Sequence, residues 1–215
     1  MRVGQYGDGQ CVVQQGDEPD YLYIIIEGQL RSLRRNEDGD EVTLRLLGHP
    51  ESCMGATIFM GGGAPVTIES IGSSRLAQIP SKFVKNLVLK DSRLAQNMLE
   101  LAARHFHQAI NQIEMITIKT PVQRIGSYLL HQHIKQRSRD MSFTLKFRKG
   151  VIANHLGMTP ETLSRALQKI KDMGIGIDGQ TIRLSDAYAL CHFCDLETSQ
   201  NCRFAKEGDC PHCHF

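Results

Sequence analysis

The chain has 215 residues, 41% of them apolar and 22% charged, with a formal net charge of +2. That is long enough for two small domains with cores of their own, and the composition is globular rather than disordered or fibrous. No apolar run reaches the roughly 20 residues of a membrane helix, and Met1-Arg2-Val3-Gly4-Gln5 lacks a signal-peptide core, so a cytoplasmic protein without a membrane partner is expected.

Residues 1–90 read as short strands separated by Gly-rich turns. Val12 to Gln15 precedes Gly16-Asp17-Glu18-Pro19-Asp20, and the strand Tyr21 to Ile26 leads into a turn at Glu27-Gly28. Leu30 to Arg35 alternates apolar and charged residues, and Asn36-Glu37-Asp38-Gly39-Asp40 is a hairpin loop before Val42 to Leu46. Val66 to Ile71 and Ser74 to Ile79 look like a further strand pair. This spacing favours a sandwich or barrel over βαβ units.

From Ser92 to Ile116 the period becomes helical. Leu99, Ala102, Phe106, Ala109, Ile113 and Ile116 recur at spacings of 3 and 4, the stripe of a coiled-coil seam. A second line, Leu94, Met98 and Leu101, can pack back on the strands. Two apolar faces on one helix favour a homodimer.

Ile118-Lys119-Thr120 is a hinge, with Thr120 capping and Pro121 opening a helix that runs through Leu130. Residues 148–170 read as two short helices joined by a tight turn at Leu156-Gly157-Met158-Thr159. Thr159 is an N-cap, Pro160 suits the first helical position, and Glu161 sits in the first turn. Val151, Ile152 and Leu156 can face Leu163, Leu167 and Ile170, which turns Glu161, Thr162, Ser164 and Arg165 outward. A helix-turn-helix presents base-reading side chains in this way. Gly174 to Leu184, with an Asp178-Gly179 turn, then reads as a β-hairpin wing. Residues 120–190 carry 11 Lys+Arg against 5 Asp+Glu, whereas residues 1–119 carry 12 against 14. The basic surplus, with Lys149 and Lys169 as candidate phosphate contacts, coincides with the helix-turn-helix.

Three stretches carry a resemblance to a known family: Gly16-Asp17-x-x-Asp20-x-Leu22-Tyr23-x-Ile25-x-x-Gly28-x-Leu30-Arg31, Thr57 to Gly62, and Thr120-Pro121-Val122-Gln123-Arg124-Ile125. Together with Thr159 to Arg165, they make the chain resemble the CRP/FNR family of bacterial transcription regulators from about Tyr6 to Ala189. The resemblance implies an α+β fold: a cyclic-nucleotide-binding-like β-roll over 1–90, a dimerisation helix over 91–118, and a winged helix-turn-helix over 119–189. Residues 190–215 are left as a Cys/His-rich tail. Glu161, Ser164 and Arg165 match the E-x-x-S-R reading residues of FNR-like members. That match implies an inverted repeat of TTGAT-like half-sites, with RNA polymerase as a further partner. The Gly-Glu and Arg-Ser pairs of members that bind cyclic AMP align to Gly55-Ala56 and near Pro65-Val66, so cyclic AMP is not expected as the signal. The chain begins close to the first strand, so the short helix that usually precedes the roll is missing or the start is misassigned.

Five of the seven cysteines lie in the tail: Cys191, Cys194, Cys202, Cys210 and Cys213. The outer pairs form C-x₂-C-x₁₅-C-x₂-C, a spacing that suits tetrahedral zinc. Cys202 is superfluous for four-thiolate zinc and fits a redox-active cluster better. An iron–sulfur cluster, zinc, and a tail without metal stand as open alternatives, the first supported by family analogy. Cys11 and Cys53 are read as small buried residues. His105 and His107 flank Phe106, with a haem ligand as the lesser reading against ordinary surface histidines, and His131 and His133 are expected to face solvent. A thiol–disulfide redox protein is the rival, but no thioredoxin-like βαβ pattern, Walker loop or Rossmann fingerprint is present. Gly61-Gly62-Gly63 is a turn rather than a phosphate cradle. A regulator sensing a small molecule in its β-roll, with a structural zinc tail, is the other alternative.

Overall fold

Two long strands organise the first part of the chain, which we describe from a computed structural model over residues 1–136, 141–186, 188–194, 198, 199 and 202. Strands β1 (Arg2–Tyr6) and β2 (Cys11–Val13) pair with β6 (Thr67–Pro80), and β6 pairs with β3 (Tyr21–Arg35). On the far side β3 carries β4 (Glu41–Gly48) and the short β5 (Ser52–Cys53), all antiparallel. The turn expected at Glu27-Gly28 is instead a bulge inside β3, and the strand pair expected at 66–71 and 74–79 is the single strand β6. Gly28 has φ +90°, and the β3–β6 register slips on both sides of Glu27. A Cβ at Gly28 would lie 2.5 Å from Ser73 O and Ser74 Oγ, so a side chain is excluded there. Ser74 Oγ donates to Gln29 O at 3.0 Å and accepts from Gln29 N at 3.2 Å. The unpaired residues, Ile26 on β3 and the stretch Gly72 to Ser74 that faces Gly28 on β6, bend both long strands without ending them, which lets the sheet curl into a roll. Strand β1, absent from the sequence reading, is mostly exposed and polar, so no apolar alternation announces it.

Ile25, Leu30, Leu47, Ile58, Ile68 and Leu76 fill the roll. Cys53 is buried there, which pushes its thiol up to about 12. Cys11, expected to be buried, is exposed on the short edge strand β2. Glu69 binds both Arg31 (2.7 Å) and Arg35 (3.0 Å), and Glu41 completes a four-residue ion-pair network on the sheet. Helices α1 (Thr57–Met60), α2 (Ser81–Val88) and α3 (Ser92–Ile118) follow their strands in order.

The chain forms two compact units, Met1–Ile113 and a second beginning at Glu114. The second unit contains α4 (Pro121–Gln136), β7 (Ser142–Thr144), α5 (Lys149–His155), α6 (Pro160–Asp172), β8 (Gly176–Asp178) and β9 (Thr181–Arg183), then a 3₁₀ turn at Cys191–Phe193. Its sheet has the order β7-β9-β8, so the hairpin wing gains a third strand. Phe143, Leu145 and Phe147 are buried at alternate positions around β7, a period-2 signal that the sequence does carry. His131 is exposed, but His133 is half-buried against Phe143 with ring centroids 5.4 Å apart, and burial lowers its pKa. No helix among the described residues is long and apolar enough to cross a membrane.

Candidate nucleic-acid interface

Helix α6 begins at a fixed point. Thr159 is the N-cap, its Oγ1 accepting from Thr162 N at 3.2 Å, and Pro160 opens the helix. Such a cap satisfies one of the orphan amides of the first turn and contributes about 1 kcal/mol. Leu163, Ala166, Leu167 and Ile170 are buried, as are Ile152 of the preceding helix and Leu156 at its C-cap, and the two helices pack against each other. The turn between the helices passes through Gly157 at φ +62°, a conformation few side-chain-bearing residues adopt.

The buried stripe leaves Glu161, Ser164, Arg165 and Gln168 exposed along one face, at spacings of 3 and 4. Thr162 is half-buried, its hydroxyl 3.1 Å from that of Thr159, so it supports the cap more than it faces outward. Lys149 is exposed at the first position of α5, and Lys169 in the last turn of α6. The Glu161 carboxyl is held below its usual range by its own backbone N–H, the Thr159 hydroxyl and Arg165. It therefore stays an anionic acceptor at neutral pH.

The sequence reading did not single out Arg124 on its own. Its guanidinium donates to Ile116 O (2.6 Å) at the end of α3, to Lys119 O (2.9 Å) in the hinge, and to Leu156 O (3.1 Å) and Gly157 O (3.2 Å) in the turn before α6. One side chain thus ties the end of the long helix to the helix-turn-helix.

On α3, Leu99 (71% exposed), Phe106 (70%) and Ile113 (59%) lie open, joined by Ile110 and, less fully, Ile116. Ala109 is exposed and Ala102 half-buried. The second line behaves as expected within its unit: Leu94, Met98 and Leu101 are half-buried, and a Cβ on Gly55 would touch Met98 and Leu101 at 3.4 and 3.5 Å. His105 is half-buried rather than at the surface; burial, helped by Arg45, lowers its pKa to about 4.

In the tail, Cys191 and Cys202 are buried and Cys194 is partly so. Among the described residues no group of three or more His, Cys, Asp or Glu could hold a metal ion, and Cys210 and Cys213 lie outside those residues. The donor chemistry of the tail is nonetheless thiolate-rich and suits zinc or an iron–sulfur cluster.

Residues 3–91 match the family model of the cyclic nucleotide-binding domain, and residues 123–193 that of the Crp-like helix-turn-helix domain. The chain belongs to the CRP/FNR family of transcription regulators. As a CRP/FNR-type regulator it is 27% identical over 188 residues to the fumarate and nitrate reduction regulatory protein of Salmonella typhimurium, covering 85% of this chain and 74% of that protein. It is 26% identical over 186 residues to the anaerobic regulatory protein of Pasteurella multocida, covering 84% and 67%. The fold is also that of FixK2 from Bradyrhizobium japonicum, with a TM-score of 0.81 at 19% identity over 90% of this chain and 97% of that one.

Proposed function

We propose that this CRP/FNR-type regulator is a homodimer whose two α6 helices read an inverted repeat of TTGAT-like half-sites, under a redox or gas signal received at the cysteine tail. The observation that carries the reading is the exposed stripe Glu161, Ser164, Arg165 on a capped, rigidly packed helix. Arg165 can be bidentate to guanine O6 and N7, and ionised Glu161 can accept from a cytosine amine. The open apolar seam of α3 supports the dimer, whose two-fold axis would set the half-site spacing. RNA polymerase is the expected further partner. Relatives named for anaerobic regulation and for fumarate and nitrate reduction support an oxygen-linked signal.

Binding by fluorescence anisotropy at one fixed salt concentration tests the DNA half of the reading. The inverted repeat should bind at least ~10³ times more tightly than a scrambled duplex. Equal affinity for the two would reject these half-sites. Metal content and a visible spectrum of protein purified without oxygen test the tail. Iron with sulfide makes it a redox or gas sensor, zinc alone makes it structural, and neither leaves the cysteines without a metal role.

A second reading, an effector held in the β-roll, is favoured by one observation. Arg45 is half-buried, its pKa lowered by desolvation against the opposing charge of Glu51, and its guanidinium has no hydrogen bond or ion pair within 4 Å among the described residues. The nearby Glu51 carboxylate is engaged with the Gly48 amide at 2.8 Å. Arg45 faces a cavity of about 220 Å³ that Arg104, His105, Gln108, Ser52 and Glu51 also line. A partly desolvated cation with no hydrogen-bonding partner is costly, and a small oxyanion in the cavity would relieve it. Calorimetric titration of the full chain with citrate and with inorganic phosphate tests this; no heat from either, in wild type as in Arg45→Gln, rejects it.

A further inference from the structure

The cysteine tail begins against α4, in a contact that only glycine permits. Leu190, Cys191 and Phe193 are buried at the start of the tail. A Cβ on Gly126 would fall inside the Phe193 ring, against its Cγ, Cδ1 and Cδ2, so the ring rests directly on helix backbone. The next residue holds the same turn by a polar bond. Ser127 Oγ donates to the Phe193 carbonyl at 3.2 Å, and Lys119 Nζ donates to Ser127 Oγ at 3.1 Å. Lys119 belongs to the hinge between α3 and α4, and its own carbonyl is held by Arg124, which also grips the turn before α6. The first residues of the tail are therefore two hydrogen bonds from the hinge that orients the recognition helix.

We infer that Phe193 is a positioning residue, through which metal occupancy of the thiols beside it sets the pose of α4 and with it the affinity for DNA. This rests on the reading of the tail as a metal site. Cys191 and Cys194 bracket Phe193 at the two ends of the 3₁₀ turn. A thiol that takes a metal gives up its proton and moves to a position the metal dictates. The backbone between the two thiols moves with them, and that backbone carries the Phe193 ring and carbonyl. A ring packed on bare backbone has no slack, so it is seated on Gly126 or displaced from it, not graded between. Seated, the link from the Phe193 carbonyl through Ser127 to Lys119 is closed. Displaced, it opens, and α4 loses its brace beside the hinge. Metal binding then biases two states of different DNA affinity.

The test uses the full chain purified without oxygen, loaded with zinc alone or with ferrous iron and sulfide, and compared with chelator-treated protein. DNA affinity is measured for wild type, Phe193→Ala and Ser127→Ala, with hydrogen exchange at residues 119–127 alongside. Wild type should change affinity about tenfold or more between loaded and stripped forms. Phe193→Ala should take up the same metal per chain yet change affinity by less than about twofold. Ser127→Ala, which leaves the ring seated, should give an intermediate ratio, and metal-dependent protection at 119–127 should vanish in Phe193→Ala. If wild type responds and Phe193→Ala responds as fully, the tail reading stands and the coupling through Phe193 is wrong, Phe193 being merely structural. If wild type takes up no metal, or its affinity is indifferent to metal, the tail reading fails and takes the coupling with it.

Discussion

Arg124 donates to four carbonyl oxygens from three segments: the end of α3, the hinge, and the turn before α6. Hydrogen bonds to a charged donor contribute about 1.5–3 kcal/mol each but do not add when one group makes several, so Arg124→Gln should destabilise the second unit by about 2–4 kcal/mol. Arg124→Lys should recover little, because a single ammonium cannot span the positions a planar fork reaches. Urea unfolding measures both, and an unchanged midpoint for Arg124→Gln would contradict this role. His105 supplies a pH signature in the first unit. Its folded pKa of about 4 lies below the ordinary value of 6.5, mainly through burial. The unfolded state therefore binds more protons between those values. The His105 contribution is complete above pH 6.5 and is lost as pH falls towards 4. Half-exposure discounts the effect to roughly 1 kcal/mol. The slope of melting temperature over that interval should flatten in His105→Gln, and an identical slope would remove His105 as its source.

At the scale of elements, what could be read in the sequence depended on how local the cause was. The capped helix α6 follows from Thr159, Pro160 and the Leu163–Leu167–Ile170 stripe, all within a few residues. The seam of α3 is likewise a local period. A turn at Glu27-Gly28 and a break between Ile71 and Ser74 are what the sequence suggests, because a glycine at positive φ serves a turn and a bulge alike, and only the facing strand decides. Whether Ser74 would close on Gln29 depends on pairing 45 residues apart. The same distance problem hides the reach of Arg124 to Leu156 and of Phe193 to Gly126, since neither partner is marked by a nearby pattern. The exposed seam carries its own prediction. Ile113→Glu should leave the folded monomer intact, because Ile113 is 59% exposed in it. In the proposed dimer it would bury two facing carboxylates, so sedimentation should show a monomer and DNA affinity should fall more than about tenfold. A variant that sediments like wild type would place the dimer contact elsewhere.

For the whole molecule, charge and fold point the same way. A sheet-rich first unit with slightly more acids than bases precedes a basic second unit that contains the helix-turn-helix, so the positive field lies where phosphates would be met. The first unit has the family's cyclic nucleotide-binding fold without the Gly-Glu and Arg-Ser residues of members that bind cyclic AMP. Gly55 lies instead beneath Met98 and Leu101 of α3, and the position after it is Ala56. In the proposed function, reading DNA rests on α6, whereas the signal is assigned to the tail or, in the second reading, to the Arg45 cavity. The most direct test of DNA reading is a cycle that pairs Arg165→Ala with replacement of the half-site guanine, measured by anisotropy at fixed salt. The expected result is a loss of roughly 1–3 kcal/mol for either change alone and little further loss when both are made. Losses that add in full, or an Arg165→Ala protein that weakens equally on cognate and scrambled DNA, would contradict base reading by this helix.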